Sequence, residues 1–273
     1  KLIPGLSYHT RNSLLAENSK VVNQDGSFAE FPKNKNTAFN FQLASIYNFN
    51  EIWNFNTNIA YKTRFATMKD RYSYKMGTAI PNPNLKSENA LNVDLGMVYK
   101  TNKISINPEV FYSKIINTIQ FVNNVEPGVA QMQNTGESQF YGTDISIRYQ
   151  PISHLNTMVN YSFIKRKNLS NPEVLFTDVP EHQANIIIGF LPLKHLEFNI
   201  NGTYNSDRNS TSYGIKSPEF LVFNAQISYH FKNGIRMETG INNIFDHNYT
   251  LTEGYPEAGR NLYFNLYYTF TAK

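Results

Sequence analysis

"NLYFNLYYTF", residues 261–270, decides how the rest of the chain is read. Side chains of an extended strand alternate between two faces. Leu262, Phe264, Leu266, Tyr268 and Phe270 therefore share one face, and Asn261, Tyr263, Asn265, Tyr267 and Thr269 the other. An apolar face opposite one of amides and hydroxyls has two physical homes. In a soluble sandwich the polar side meets bulk water, whereas in a membrane barrel the apolar side meets lipid and the amides line a wet interior.

The same alternation recurs. In "WNFNTNIAY" (53–61), Trp53, Phe55, Ile59 and Tyr61 oppose Asn54, Asn56 and Asn58; in "HLEFNINGTYN" (195–205), Leu196, Phe198, Ile200 and Tyr204 oppose His195, Glu197, Asn199, Asn201 and Thr203. Further strands are read at 91–99, 104–112, 141–149, 155–163, 184–190, 221–231 and 235–242, with another near 39–49 and a weaker one near 3–10. A period of two over so many windows specifies strands, and no 3.6-residue apolar stripe competes with it. Pro108 falls inside one strand, where a bulge or a frayed end is expected.

Composition fits. The 273 residues include 18 Tyr and 20 Phe, yet only 17% are charged, below the soluble average of about a quarter. The net charge of +4 is scattered, which argues against a nucleic-acid partner. Without cysteine there is neither a disulfide framework nor a thiolate metal site. No run approaches the roughly 18 apolar residues of a helical span, a limit that does not apply to barrel strands.

The connections alternate in length. Tight turns are read at 48–51, 100–103, 150–153, 191–194 and 231–234; long polar connections are read near 62–88, 114–138, 164–180, 206–217 and 246–259. Every long connection then falls at one end of the sheet, as in a membrane barrel. Tyr61, Tyr99, Tyr112, Tyr149, Phe163, Phe190, Tyr204 and Phe231 end strands, where an aromatic girdle would lie. About twelve strands are expected, and closure is favoured because lipid cannot satisfy an open edge.

Two stretches carry a resemblance. "AIPNPNLKSENALNVDLGMVY" (79–99), through Asn82, Pro83, Asn84, Leu85, Lys86 and Glu88, resembles a loop and strand of TonB-dependent outer-membrane receptors. "GINNIFDHNYTLTEGYPEAGRNLYFNLYYTF" (240–270) resembles their C-terminal signature, with Asn242, Asn243, Ile244, Phe245, Asp246, Tyr249, Pro256, Gly259 and Arg260. The likeness runs from about residue 38 to 270 and is poor over 1–37. It implies an antiparallel transmembrane β-barrel in the bacterial outer membrane, of which this chain is the C-terminal half of 22 strands. It further implies energy-coupled uptake of a scarce ligand (a ferric siderophore, haem, cobalamin or glycan), driven by a TonB-type periplasmic coupling protein through a plug domain not found in this chain. Residues 1–37 are expected to form a first strand and a long loop, and 38–273 the barrel portion. The "TAK" after Phe270 departs from the family's habit of ending on the aromatic.

Enzyme chemistry is not expected. The six histidines, at 9, 154, 182, 195, 230 and 247, form no metal-binding spacing, and neither a phosphate loop nor a nucleophile elbow is present. No cofactor or metal is expected. Glu109, Asp144, Glu197 and Glu238 are read as lining a wet interior with Arg148 and Arg236. Ligand contact is expected in the long connections: at Arg64, Arg71, Tyr72 and Tyr74 beside Lys69, and at Asp207, Arg208 and Tyr213, where cations and aromatics would attract an anionic or catecholate ligand. A solvated loop carries the same composition. The alternatives to an uptake receptor are a passive porin of about twelve strands and a glycan-binding or adhesive β-sandwich at the cell surface.

Overall fold

A computed structural model describes residues 1–232 and 234–270. Twelve strands form one antiparallel sheet in chain order. They are β1 (Leu2–Asn12), β2 (Lys35–Asn48), β3 (Trp53–Arg64), β4 (Glu88–Lys100), β5 (Ile104–Ile116) and β6 (Ser138–Ile152), followed by β7 (Leu155–Asn168), β8 (His182–Leu193), β9 (Leu196–Asn205), β10 (Phe220–His230), β11 (Ile235–Asn242) and β12 (Asn261–Tyr268). The first strand, faint in sequence, is eleven residues long and pairs along its whole length with β2.

Register makes each face continuous. Leu43, Ile59, Val93, Tyr112 and Tyr141 stand in one row across five strands. On the other face Asn107, Ser146, Asn160, Asn185 and Thr203 stand in a row. Ser146 Oγ donates to Asn160 Oδ1 at 2.9 Å, and Asn185 Nδ2 donates to Thr203 Oγ1 at 3.1 Å. Amides and hydroxyls thus satisfy one another across the strands while keeping capacity for water.

The apolar face is not covered by protein. Leu95 is 54% exposed, Phe264 64% and Leu262 79%. Among the described residues the clustered apolar core is Ala66, Leu85 and Ile119 with Met132 packed against it, in the loops rather than between sheet faces. A sandwich would bury its aliphatic rows; this sheet presents them outward, as a lipid-facing surface requires.

Tight turns join the strands at 49–52, 101–103, 153–154, 194–195 and 231–234, although Asn233 of the last lies outside the described residues. Side chains close two of them. Asn50 Oδ1 accepts from the amides of Ile52 (2.9 Å) and Trp53 (2.8 Å), and Thr101 Oγ1 from those of Lys103 (3.3 Å) and Ile104 (3.2 Å). Connections at the other end span 13–34, 65–87, 117–137, 169–181, 206–219 and 243–260. Tyr61, Tyr112, Phe163 and Tyr204 lie toward these long connections, and Tyr99, Tyr149, Phe190 and Phe231 toward the tight turns. Trp53 and Tyr61, at opposite ends of β3, are about 26 Å apart along the strand, enough to cross a hydrocarbon layer when tilted.

One expectation changes. Pro108 neither bulges nor frays its strand. Pairing with β6 runs through Pro108↔Ile145 in one register, and the ladder to β4 skips from Glu109 to Ile106 without shifting. The missing N–H thus costs a local ladder contact and no more. Among the described residues β1 pairs with β2 alone and β12 with β11 alone, so the sheet is open at both edges, as a portion of a larger barrel would be. The expected terminal "TAK" lies outside the described residues.

Candidate functional site

The long connections knit into one layer. In 65–87, Thr67 begins a short helix, α1 (Met68–Tyr72): its Oγ1 accepts from Asp70 N (3.1 Å), and Asp70 Oδ2 accepts from Thr67 N (2.9 Å). Ile119–Glu126, Val129–Asn134 and Ala79–Ile80 then form a small sheet that ties this connection to 117–137. Neighbouring connections are pinned by Asn123 N to Ser212 Oγ (3.0 Å), Asn171 Nδ2 to Thr135 O (2.6 Å) and Arg208 Nη2 to Thr250 O and Leu251 O (both 2.6 Å).

The two stretches that carried the resemblance are scaffolding in this layer. Leu85 is buried against Ala66 and Ile119, Asn82 Nδ2 donates to Met132 O (2.9 Å), and Glu88 holds Arg64 while its Oε1 accepts from Ile119 N (2.6 Å). In the C-terminal stretch Asn243 is buried in the left-handed region (φ 50°), accepts from His247 N (2.8 Å) and donates to His247 O (2.8 Å) and Ala258 O (3.3 Å). Asp246 Oδ1 accepts from Arg260 N at 2.7 Å, and a Cβ at Gly259 would lie 2.8 Å from that same oxygen. Asn, Asp, Gly and Arg at this spacing therefore fold the last long connection back onto the sheet.

The expected contact residues separate into distinct environments. Arg64 pairs with Glu88 and, at 3.3 Å, with Asp70. Arg71 is buried and donates to Leu85 O (2.7 Å) and Asn36 Oδ1 (3.1 Å). The Tyr72 hydroxyl accepts from Asn34 Nδ2 (3.0 Å), with its ring 4.9 Å from Phe31. Tyr74 donates to Asn18 Oδ1 (2.8 Å) beneath Lys20 Nζ, 4.2 Å from its ring. Arg208 is buried and holds the 243–260 connection. Arg71 and Arg208 thus each hold loop carbonyls, while Arg71 Nε and Arg208 Nη1 are buried without a hydrogen-bond partner.

Asp207 and Tyr213 instead line cavities. A cavity of about 650 Å³ lies between 169–181 and 206–219; Arg166, Phe176, Glu181, Asp207 and Lys216 help to wall it. Lys216 Nζ donates to Asp207 at 2.6 Å, and this bond raises the ammonium pKa above the ordinary lysine value. Arg166 donates to Thr177 O (3.1 Å) and Val179 O (3.2 Å) and lies 5.3 Å from the Phe176 ring. A second cavity, about 270 Å³, brings Lys75, Phe121, Asn123 and Tyr213 together from three connections. Lys75 Nζ sits 3.9 Å from the Phe121 ring. Sequence reasoning missed Lys75 and Phe121, since nothing local marks two residues so far apart as partners.

Lower down, on the polar sheet face, Glu109, Asp144, Asn160, Asn185 and Thr203 line a hollow of about 490 Å³. Glu238 accepts from Arg236 (3.0 Å) and Asn265 (3.2 Å), and Asn199 donates to Glu197 (3.0 Å). This face presents amides, hydroxyls and carboxylates that can bind water and polar solutes. Among the described residues no cluster of histidine and carboxylate side chains forms a metal site.

The family model "TonB dependent receptor-like, beta-barrel" matches residues 1–244, which includes the first strand and stops short of the last. An uncharacterized TonB-dependent receptor of Haemophilus influenzae is 24% identical over 207 residues, covering 70% of this chain and 57% of that protein. The copper transporter OprC superposes with a TM-score of 0.80 at 16% identity, over 98% of this chain and 45% of its own. The FrpB iron transporter of Neisseria meningitidis gives 0.71 at 18% identity, over 97% and 42%. The chain thus spans little more than half of the relative's length and less than half of either solved structure. With its outward apolar face, polar inner face and single layer of long connections, the chain belongs to the family of TonB-dependent receptor-like β-barrels.

Proposed function

We propose that this chain forms the C-terminal part of the wall and outer loops of an outer-membrane receptor that takes up a scarce ligand. The observation that carries the reading is the polar face of amide and hydroxyl rows lying beneath a hydrogen-bonded layer of long connections. Such a surface binds a hydrated solute weakly at many points and lets it pass, with no covalent step. Ligand capture falls to the loop layer, where the 270 Å³ cavity presents Lys75, Phe121 and Tyr213 and the 650 Å³ cavity presents Asp207 and Lys216. Arg64, Arg71, Tyr72, Tyr74 and Arg208 act behind them by holding the loops in shape.

Energy coupling belongs to a plug and a periplasmic TonB-type partner, which would meet the receptor outside the strands described. The structural relatives bear the names of copper and iron transporters, which makes a metal ion or metal chelate the first ligand class to test. A twelve-stranded porin fits less well because, among the described residues, both sheet edges are unpaired.

The test is growth rescue by the full-length gene in an uptake-deficient host supplied with ferric siderophores, haem, cobalamin, copper or oligosaccharides. One ligand class should restore growth, and deletion of the TonB-type partner should abolish the rescue. Rescue independent of that partner would favour the porin.

A further inference from the structure

Outward positions on the described strands are mostly apolar or aromatic, with scattered hydroxyls and amides, and three outward lysines cluster at one place. Lys114 follows Tyr112 by two residues on β5, and Lys165 and Lys167 lie beyond Phe163 on β7, all toward the long connections. Register places them side by side: Gln139 of β6 pairs with Lys114 on one flank and Lys167 on the other, while Tyr141 pairs with Tyr112 and Lys165. Two strand spacings put Lys114 and Lys167 roughly 10 Å apart. At comparable positions β1, β3, β4 and β9 carry Thr10, Thr63, Asn89 and Tyr204, and Lys35 of β2 stands apart.

The lysines are held by their neighbours only at the exposed surface. Lys114 Nζ lies 3.0 Å from Glu137 and Lys165 Nζ 2.5 Å from Glu181, but these side chains are 37–46% exposed. Ion pairs so exposed are weak and leave the ammonium groups open to a further anion. Lys167 is exposed and lies 5.7 Å from the Tyr141 ring. Lys165 and Lys167 also border the 650 Å³ cavity, where Leu175 and Val179 add apolar wall. Ammonium groups sit just past a tyrosine pair, above a surface that meets acyl chains. That order of chemistry matches a lipid whose headgroup carries phosphate.

We propose that Lys114, Lys165 and Lys167, with Tyr112 and Tyr141 beneath them, seat the phosphate groups of an outer-leaflet lipid. This rests on the bilayer-facing reading of the apolar surface and is independent of which ligand the receptor transports. Each lysine attracts an anionic headgroup, its aliphatic stem lying along the hydrocarbon boundary while the ammonium reaches the phosphate.

The test uses the receptor extracted from outer membranes and exchanged into phosphatidylcholine nanodiscs doped with diphosphoryl lipid A or its dephosphorylated form. Native mass spectrometry then counts retained lipid. Wild type should retain the diphosphoryl form preferentially. Each single Lys→Gln change at these positions should lower retention about fivefold, equivalent to about 1 kcal/mol. A triple Lys→Arg variant should retain it, and Lys103→Gln at the tight-turn end should behave as wild type. Equal retention of both lipids would overturn the proposal, as would inorganic phosphate binding with the same lysine dependence, which would mark a site for free anions. Heat-modifiable gel mobility on the same samples separates the two readings: a modifiable barrel without lipid preference fails the headgroup site alone, whereas a protein soluble without detergent fails the bilayer reading itself.

Discussion

At the scale of single residues, the sheet depends on close approaches that sequence pattern does not display. Gly142 on β6 lies beneath the ring of Phe111, and a Cβ there would sit 2.7 Å from that ring and 1.9 Å from the Phe163 carbonyl oxygen. Gly142→Val should therefore push β6 from β7 and destabilise the barrel by about 1–3 kcal/mol or more. The folded, heat-modifiable fraction should fall visibly, and an unchanged fraction would show that the strands can part at no cost. Lys216 gives a pH-dependent case. Its hydrogen bond to Asp207 raises the folded-state pKa above the unfolded value. The contact's stabilisation is thus fully present below the ordinary lysine pKa and is lost as pH rises through the folded one. Amine-labelling mass spectrometry across the alkaline range should find Lys216 modified slowly in wild type and faster in Asp207→Asn. Equal rates would mean the bond does not form in solution.

At the scale of the element, each strand works by keeping two solvents apart. Leu95 lies midway along β4, four residues from Tyr99 on the outward face, and Asn56 pairs with the adjacent Gly96 on the inward face. Leu95→Lys should cost about 2–4 kcal/mol, because an ammonium would be buried in hydrocarbon, while Asn56→Lys should change stability by less than about 1 kcal/mol. Urea-dependent folding into detergent or lipid vesicles measures both, and comparable losses would remove the distinction between faces. Strand positions and the short–long alternation were legible in sequence because period-two patterning is local and repeated, as in Trp53–Tyr61 or Leu196–Tyr204. The first strand was faint because Pro4 and Gly5 interrupt its pattern, although pairing with β2 restores it. The interior of the connections was not legible. The α1 turn rests on a capping pair, and the small loop sheet joins residues 79–80 to 129–134, a pairing set by tertiary contact rather than by any local run. The site was legible only as a region. Arg71 and Arg208 were legible as cations in the connections, but the carbonyls they hold were not.

At the scale of the whole molecule, the sheet is a wall with two open edges, and its loops form a roof over one end. Among the described residues β1 and β12 each pair on one side only, an edge that lipid would leave unsatisfied, and the chain spans under half of its structural relatives. Uptake, lipid contact and loop-borne specificity all presuppose that aliphatic rows meet acyl chains and amide rows meet enclosed water. These 273 residues contain no cysteine, so single cysteines can be placed and spin-labelled one at a time along 196–204 in a receptor with any cysteine elsewhere replaced. Labels at Leu196, Phe198, Ile200 and Tyr204 should collide with lipid-dissolved oxygen, and those at Glu197, Asn199, Asn201 and Thr203 with a water-soluble nickel chelate. Uniform accessibility to the chelate on both faces, or the reverse alternation, would contradict the account.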